Sequence, residues 1–113
     1  MKKEEIIIQT EDVKVRIIEL QVGESGPFHF HTQVGESGPF HFHTEITDNM
    51  FGISGEIIVS MKNPTGKIIL KPGVHCKIEP GRVHCVSNNH NSETSKYLLV
   101  QGVGVYDFIK ENA

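Results

Sequence analysis

The sequence predicts an all-β protein, one domain of antiparallel strands closed into a sandwich or barrel, and three observations carry that prediction. Short apolar segments follow one another along the chain at turn spacings of roughly 8–12 residues. Pro and Gly stand where hairpins need them, in Asn63-Pro64-Thr65-Gly66, Lys71-Pro72-Gly73 and Glu79-Pro80-Gly81-Arg82. No segment keeps an apolar period of 3.6 over three turns. The 113 residues suffice for a single domain spanning 1–113 and not for two of ordinary size.

In chain order, the strand segments are Glu5–Ile8, Val13–Leu20, Phe40–His43, Met50–Ile53, Glu56–Met61, Gly66–Leu70, His75–Ile78, Val83–Ser87 and Lys96–Val105. Each is short, rich in β-branched or aromatic residues and bounded by turn formers. The tail Tyr106–Glu111 reads as a short helix or another strand.

One feature breaks the run of strands. Residues 21–32 and 33–44 both read QVGESGPFHFHT, identical at all 12 positions. Solenoid repeats diverge and need three or more copies, so two identical short blocks are a duplication rather than a repeat architecture. A recent duplication or a deliberate insertion would leave this pattern; in the second case the chain is an engineered variant with no activity at issue. A 12-residue lengthening costs on the order of 1 kcal/mol in closure entropy, and an even offset preserves the facing of a strand. Looping out Gln21–Thr32 keeps the spacing from His41 and His43 to Asp48 intact, so the second block is expected in the barrel. The alternative register places His29 and His31 there instead.

Composition excludes several classes of function. Lys and Arg number 11 against 14 for Asp and Glu, a net charge of −3, and no stretch concentrates basic residues. Nucleic acid and anionic membrane are not expected partners. No unbroken apolar run exceeds the four residues Tyr97-Leu98-Leu99-Val100, and no signal-peptide core precedes Ile6-Ile7-Ile8. Cys76 and Cys85 make no disulfide framework, so a cytoplasmic setting is expected, with both cysteines reduced and packed as small hydrophobes.

The anomaly is seven histidines in so short a chain. In Phe40-His41-Phe42-His43, period-2 alternation puts both imidazoles on one face. In Val83-His84-Cys85-Val86, His84 shares a face with Val86 while Cys85 points away. A lone histidine is usually a satisfied surface or core residue. Two at i, i+2 with a third on another strand after Pro-Gly make the geometry of a metal site on a rigid sheet.

These residues resemble the two-part signature of the cupin superfamily, G(X)5HXH(X)3–4E(X)6G followed by G(X)5PXG(X)2H(X)3N. Gly35, His41, His43, Asp48 and Gly55 reproduce the first part, with Asp for the usual Glu. Gly73, Glu79-Pro80-Gly81, His84 and Asn88 reproduce the second, with Glu79 where Pro is usual. The match runs from about Val15 to Val105. The resemblance implies a double-stranded β-helix, or jelly-roll barrel, with a divalent metal inside. Carried over by position, the ligands would be His41, His43, Asp48 and His84. Imidazoles and a carboxylate suit Fe, Mn, Ni, Cu or Zn ions and leave positions open for water or substrate. Asp is one methylene shorter than Glu, which sets a four-ligand site against a three-histidine one.

The remaining candidates read as follows. Glu45 is a rim charge; His75 and His90 are surface residues; His29 and His31 are solvent-exposed in the looped block, where they could grip a second ion. Phe40 and Phe42 pack outside the barrel or at a dimer contact, while Phe28 and Phe30 are left exposed. Met50, Phe51, Ile53, Ile57 and Val59 form pocket wall and core. Arg82 and Lys77 could steer an anionic substrate or be solvated charges. The expected function is a small metal-binding cupin, an oxygenase or isomerase of a small polar or carboxylated molecule, with a non-catalytic ligand-binding module as the alternative. A homodimer with a small-molecule ligand is the expected assembly.

Overall fold

The computed structural model describes residues 3–21, 24–26, 29–30, 40–89 and 93–110. Twelve strands follow in chain order: β1 Lys3–Gln9, β2 Lys14–Leu20, β3 Glu24–Gly26, β4 His29–Phe30, β5 His41–Phe42, β6 Thr47–Ser54, β7 Ile57–Met61, β8 Gly66–Leu70, β9 His75–Ile78, β10 His84–Asn88, β11 Ser95–Gly102 and β12 Ile109–Lys110. Among the described residues there is no helix. Of the tail, which the sequence left as helix or strand, Ile109–Lys110 forms a short strand. The expected strand Lys96–Val105 ends at Gly102, after which the chain turns across the barrel.

Two antiparallel sheets form the layers. One runs β1-β2-β11-β6-β9; in the other β10 is central, paired with β7 along one edge and with β5 and β3 along the other, with β8 beyond β7, β12 beyond β5 and β4 beyond β3. Two facing antiparallel sheets are what the strand spacing predicts, and the jelly-roll barrel is what the cupin resemblance implies. Alternation decides what lies between the sheets. Arg16, Ile18 and Leu20 of β2 are buried, as are Asp48 and Met50 of β6 and Tyr97, Leu99 and Gln101 of β11. From the facing sheet come Ile57, Val59 and Met61 of β7, Leu70 of β8 and Val86 of β10. One end of the barrel is thus filled by Ile18, Leu20, Met50, Ile57, Val59, Leu70, Ile78 and Leu99, each fully buried aliphatic side chain contributing about 1.5–3 kcal/mol. The polar inward positions collect toward the other end. Phe51 and Ile53, expected in the wall, fall on the outward positions of β6 and are exposed. Met50, the residue before Phe51, takes the inward place.

The identical blocks meet β10 in an informative way. Ser87 and Val86 pair with Ser25 and Gly26 of β3, from the first block; His84 pairs with His41 of β5, from the second. A single edge of β10 is therefore served by both blocks. The sequence reading looped out Gln21–Thr32, with a place for that block on a sheet edge or in exchange between subunits as the other options; Glu24–Gly26 of that block is a paired strand. Identity explains this: each block offers the same residues to the ladder, so the chain can leave it and return at any point within the repeat.

Candidate functional site

Three strand-end positions bring the imidazoles together. His41 and His84 lie directly opposite each other on β5 and β10, with ring centroids 4.3 Å apart. His43 follows two residues after His41 on the same face, its ring 5.1 Å from His41 and 5.4 Å from His84. The Glu79-Pro80-Gly81 turn delivers His84. Gly81 sits at φ 82°, a left-handed conformation that glycine adopts without strain, and its N–H donates to the His43 carbonyl at 2.7 Å. The turn before the third histidine is thereby tied to the segment carrying the other two.

Asp48 reaches the same point from the opposite sheet. Its Oδ2 lies 3.1 Å from His84 Nε2 and 3.3 Å from His43 Nε2. Its Oδ1 accepts from the Gln101 amide at 3.0 Å. Arg16 donates through Nη2 to Gln101 Oε1 and through Nη1 to Glu4 Oε2 at 3.1 Å. Because the guanidinium has only donors, it fixes which end of the Gln101 amide faces Asp48.

The other ring nitrogens assign the imidazole tautomers. His84 Nδ1 is 2.8 Å from the Arg82 carbonyl and His43 Nδ1 is 2.5 Å from the Asp107 carbonyl. A carbonyl can only accept, so both Nδ1 atoms carry hydrogen. Each neutral ring then turns an Nε2 lone pair inward, onto a carboxylate oxygen that is itself an acceptor. His43 Nε2 is buried without a hydrogen-bond partner. Lone pairs facing one another in a buried site repel unless a proton or a cation stands between them.

The electrostatics record the proton's version of this. Burial alone would lower the pKa of His43, but the Asp48 carboxylate beside it outweighs burial and raises it above 6.5. Burial would raise Asp48, yet the two imidazoles hold its carboxyl well below the usual carboxylate range. A divalent cation would satisfy the same atoms. His41, His43 and His84 each offer a ligand nitrogen, all within 4.8 Å of one another, so the three buried histidines could bind a metal. The ring N–H held by a backbone carbonyl is the usual support of a metal-ligating histidine. The donor set fits a borderline divalent ion.

The cavity at this point is small. Water centres have about 20 Å³ within it, room for about one water. Arg16, Tyr97, Gln101, Tyr106 and Phe108 complete its wall with the histidines and Asp48. Burial pushes the phenol of Tyr97 above its usual range.

The sequence reading singled out His41, His43, His84 and Asp48, and all four converge. It missed Arg16, Gln101, Tyr106 and Phe108. Arg16 carried a legible signal: it stands at the inward position of a strand that continues Ile18, Leu20, where a charge needs a reason. Glu45 is exposed, as a rim charge should be. His75 is exposed, bonded to Asn49 and stacked on Phe51. Lys77 pairs with Glu79, and Arg82 donates to the Pro64 carbonyl; neither lines the cavity. Phe40 lies under the Lys62 ammonium, 4.3 Å from the ring centre. Cys76 and Cys85 are free and buried; Cys85 is buried because β10 is covered on both faces. His31 and His90, and the side chains of Phe28, His29 and Phe30, lie outside the described residues.

Comparison with known proteins follows from this geometry. The family model described as Cupin domain matches residues 28–101. An uncharacterized conserved protein with a double-stranded β-helix domain from Klebsiella pneumoniae superposes with TM-score 0.75 at 21% identity, over 99% of this chain and 85% of that one. A sugar phosphate isomerase from a cupin superfamily of Silicibacter pomeroyi gives 0.64 at 17% identity, over 90% and 63%. Recombinant oxalate oxidase in complex with glycolate gives 0.72 at 13% identity, over 96% and 54%. At these identities the structures share the fold with this chain. Comparison with curated proteins finds no match. No helix of the described residues is long and apolar enough to cross a membrane.

Proposed function

This chain belongs to the cupin family, and from that premise we propose that it is a metal-dependent cupin acting on a small polar or carboxylated molecule, as an oxygenase or isomerase. The observation that carries the reading is the convergence of the Nε2 atoms of His43 and His84 on Asp48 Oδ2, with both Nδ1 hydrogens given to backbone carbonyls. His41, His43 and His84 are the proposed ligands, with Asp48 as the carboxylate. A divalent ion there supplies Lewis-acid polarisation or, if redox-active, oxygen activation. Asp48 is a short acid, and Gln101 holds one of its oxygens while leaving the other toward the imidazoles. Arg16 lines the same cavity and is the cation suited to an anionic ligand group.

Two further expectations belong to this reading. β1 is a sheet edge on which Ile6, Ile7 and Ile8 are all exposed, and it supports pairing with a second copy. The free cysteines fit a reducing cytoplasm.

The test is turnover by metal-loaded protein across Fe, Mn, Ni, Cu and Zn, against small hydroxy acids, dicarboxylates, diketones and sugar phosphates. Oxygen uptake and product isomers are the readouts. Turnover with one ion and its loss in His41→Ala is the expected result. Full metal occupancy with no turnover on any of them, but with saturable binding, replaces the enzyme by a ligand-binding module.

A further inference from the structure

After β11 the chain does not leave the barrel. Residues 103–110 cross the end at which the histidines lie and finish as β12, where Ile109 pairs with Phe42 and Lys110 with His41. Phe108 stacks on His41, with ring centroids 4.2 Å apart and planes 21° from parallel. The Tyr106 ring lies 5.5 Å from His43. Both aromatic rings line the cavity. Between them, the Asp107 carbonyl receives the His43 Nδ1 hydrogen, and the Asp107 carboxylate accepts from the Thr44 N–H at 2.8 Å and from the Thr44 hydroxyl at 2.5 Å. Asp107 itself is exposed to water on its far side. Gly104, at φ 136°, stands where the segment leaves the sheet.

We propose that residues 103–110 are a strap gating the histidine cavity, and that Asp107 is a positioning residue joining strap closure to the orientation of His43. With space for about one water, the cavity as it stands holds no ligand larger than an ion and its water; Tyr106 and Phe108, both on the strap, are the wall residues whose lifting would widen it. Beyond the ring contacts and the His43 bond, the strap is held by a two-residue strand pairing, by the Gly104 N–H on the Asp12 carbonyl, by Lys14 over the Tyr106 ring and by the Asp107 carboxylate on Thr44. The strap also supplies the carbonyl that selects the His43 tautomer, so lifting it frees that ring to swing or to exchange its hydrogen between nitrogens. Closure is thus the state in which His43 Nε2 is available inward. Gate and ligand are coupled through adjacent residues, His43 and Thr44, held by one residue of the strap.

The gate itself is a matter of access and stands apart from the metal assignment; only its effect on ion release rests on that reading. Two measurements separate them. In chelator-treated protein, the rates at which diethyl pyrocarbonate modifies His41 and His43 are mapped by mass spectrometry, with exposed His75 as internal reference. Asp107→Ala removes the carboxylate contacts but keeps the carbonyl, and is expected to raise the His41 and His43 rates about 10-fold or more with His75 unchanged, the effect of losing one or two hydrogen bonds to a charged acceptor. Asp107→Asn retains both contacts with Thr44 and should stay near the wild-type rate. Should Asp107→Ala unfold, judged by circular dichroism, Thr44→Val, at an exposed site, removes the hydroxyl contact alone and should give a smaller rise. In cobalt-loaded protein, the same order is expected for the rate at which a chelator strips the ion, about 10-fold or more for Asp107→Ala. Equal imidazole modification in wild type, Asp107→Ala and Thr44→Val would overturn the gate. Faster modification without any cobalt uptake by wild type would leave the gate standing and remove the metal reading.

Discussion

Deleting one 12-residue block tests the register of the repeat and the independence of the site from it. Because the blocks are identical, removing residues 21–32, 29–40 or 33–44 yields the same 101-residue chain. In the full chain, fourteen residues, 27 to 40, connect Gly26 to His41, while their partners on β10, Val86 and His84, are separated only by Cys85. In the shortened chain two residues, Pro and Phe, span the same step, so the ladder closes over a one-residue bulge. Shortening the connection from fourteen residues to two recovers about 1.7 kcal/mol of closure entropy. Loss of the two-residue β3–β4 pairing offsets part of this, roughly 0.7 kcal/mol. The net gain of about 1 kcal/mol corresponds to a rise in Tm of about 4 °C at ordinary unfolding entropies. Thermal unfolding by circular dichroism on both chains, with cobalt titration of each, is the assay. A shortened chain that melts more than a few degrees lower, or that loses cobalt binding, would refute the reasoning, because the extra block would then be part of the structure that builds the site.

Two other perturbations probe the charge network. In metal-free protein, His43 has a folded-state pKa above 6.5 and Asp48 one below 3.8. The His43 contribution is therefore complete below pH 6.5 and lost as pH rises through its folded value, while that of Asp48 is present above 3.8 and lost on acidification below it. Chelator-treated protein should melt lower at pH 8 than at pH 6; excess zinc, which competes with the proton for the same lone pairs, should reverse that slope, and parallel slopes with and without zinc would contradict the shared site. Gln101→Leu removes the donor to Asp48 and the acceptor for Arg16 at once, so a loss of about 3 kcal/mol and roughly 10 °C in Tm is expected; a change within 2 °C would mean that Asp48 is not held from behind.

The parts of this molecule legible in the sequence are those where one residue's periodicity or turn chemistry decides its place. His41 and His43 share a face because a strand alternates, and His84 follows Pro80-Gly81 because that turn reverses the chain. Asp48 joined them through the cupin resemblance, and the structure supplies the reason: it is an inward residue of the opposite sheet. Phe51 and Ile53 were misplaced because apolar character was read without parity; their numbers differ by one and three from inward Met50. Gln101 and the strap were invisible for a different reason, and the inward parity of Arg16, though legible, did not name its partner. Their roles depend on contacts across 85 residues, as between Arg16 and Gln101, or across 63, as between Thr44 and Asp107, and local pattern carries no information on which distant segments meet. The repeat added an ambiguity of its own, since two identical blocks present the same pattern to the same partner strand.

Anomalous diffraction from crystals grown with cobalt, collected on both sides of the cobalt edge, addresses the central claim most directly. The account expects one peak per chain, bounded by the Nε2 atoms of His43 and His84, a ring nitrogen of His41 and Asp48 Oδ2, and its disappearance in His84→Ala. A fully occupied ion elsewhere on the chain, with those four side chains touching only one another and water, would contradict it.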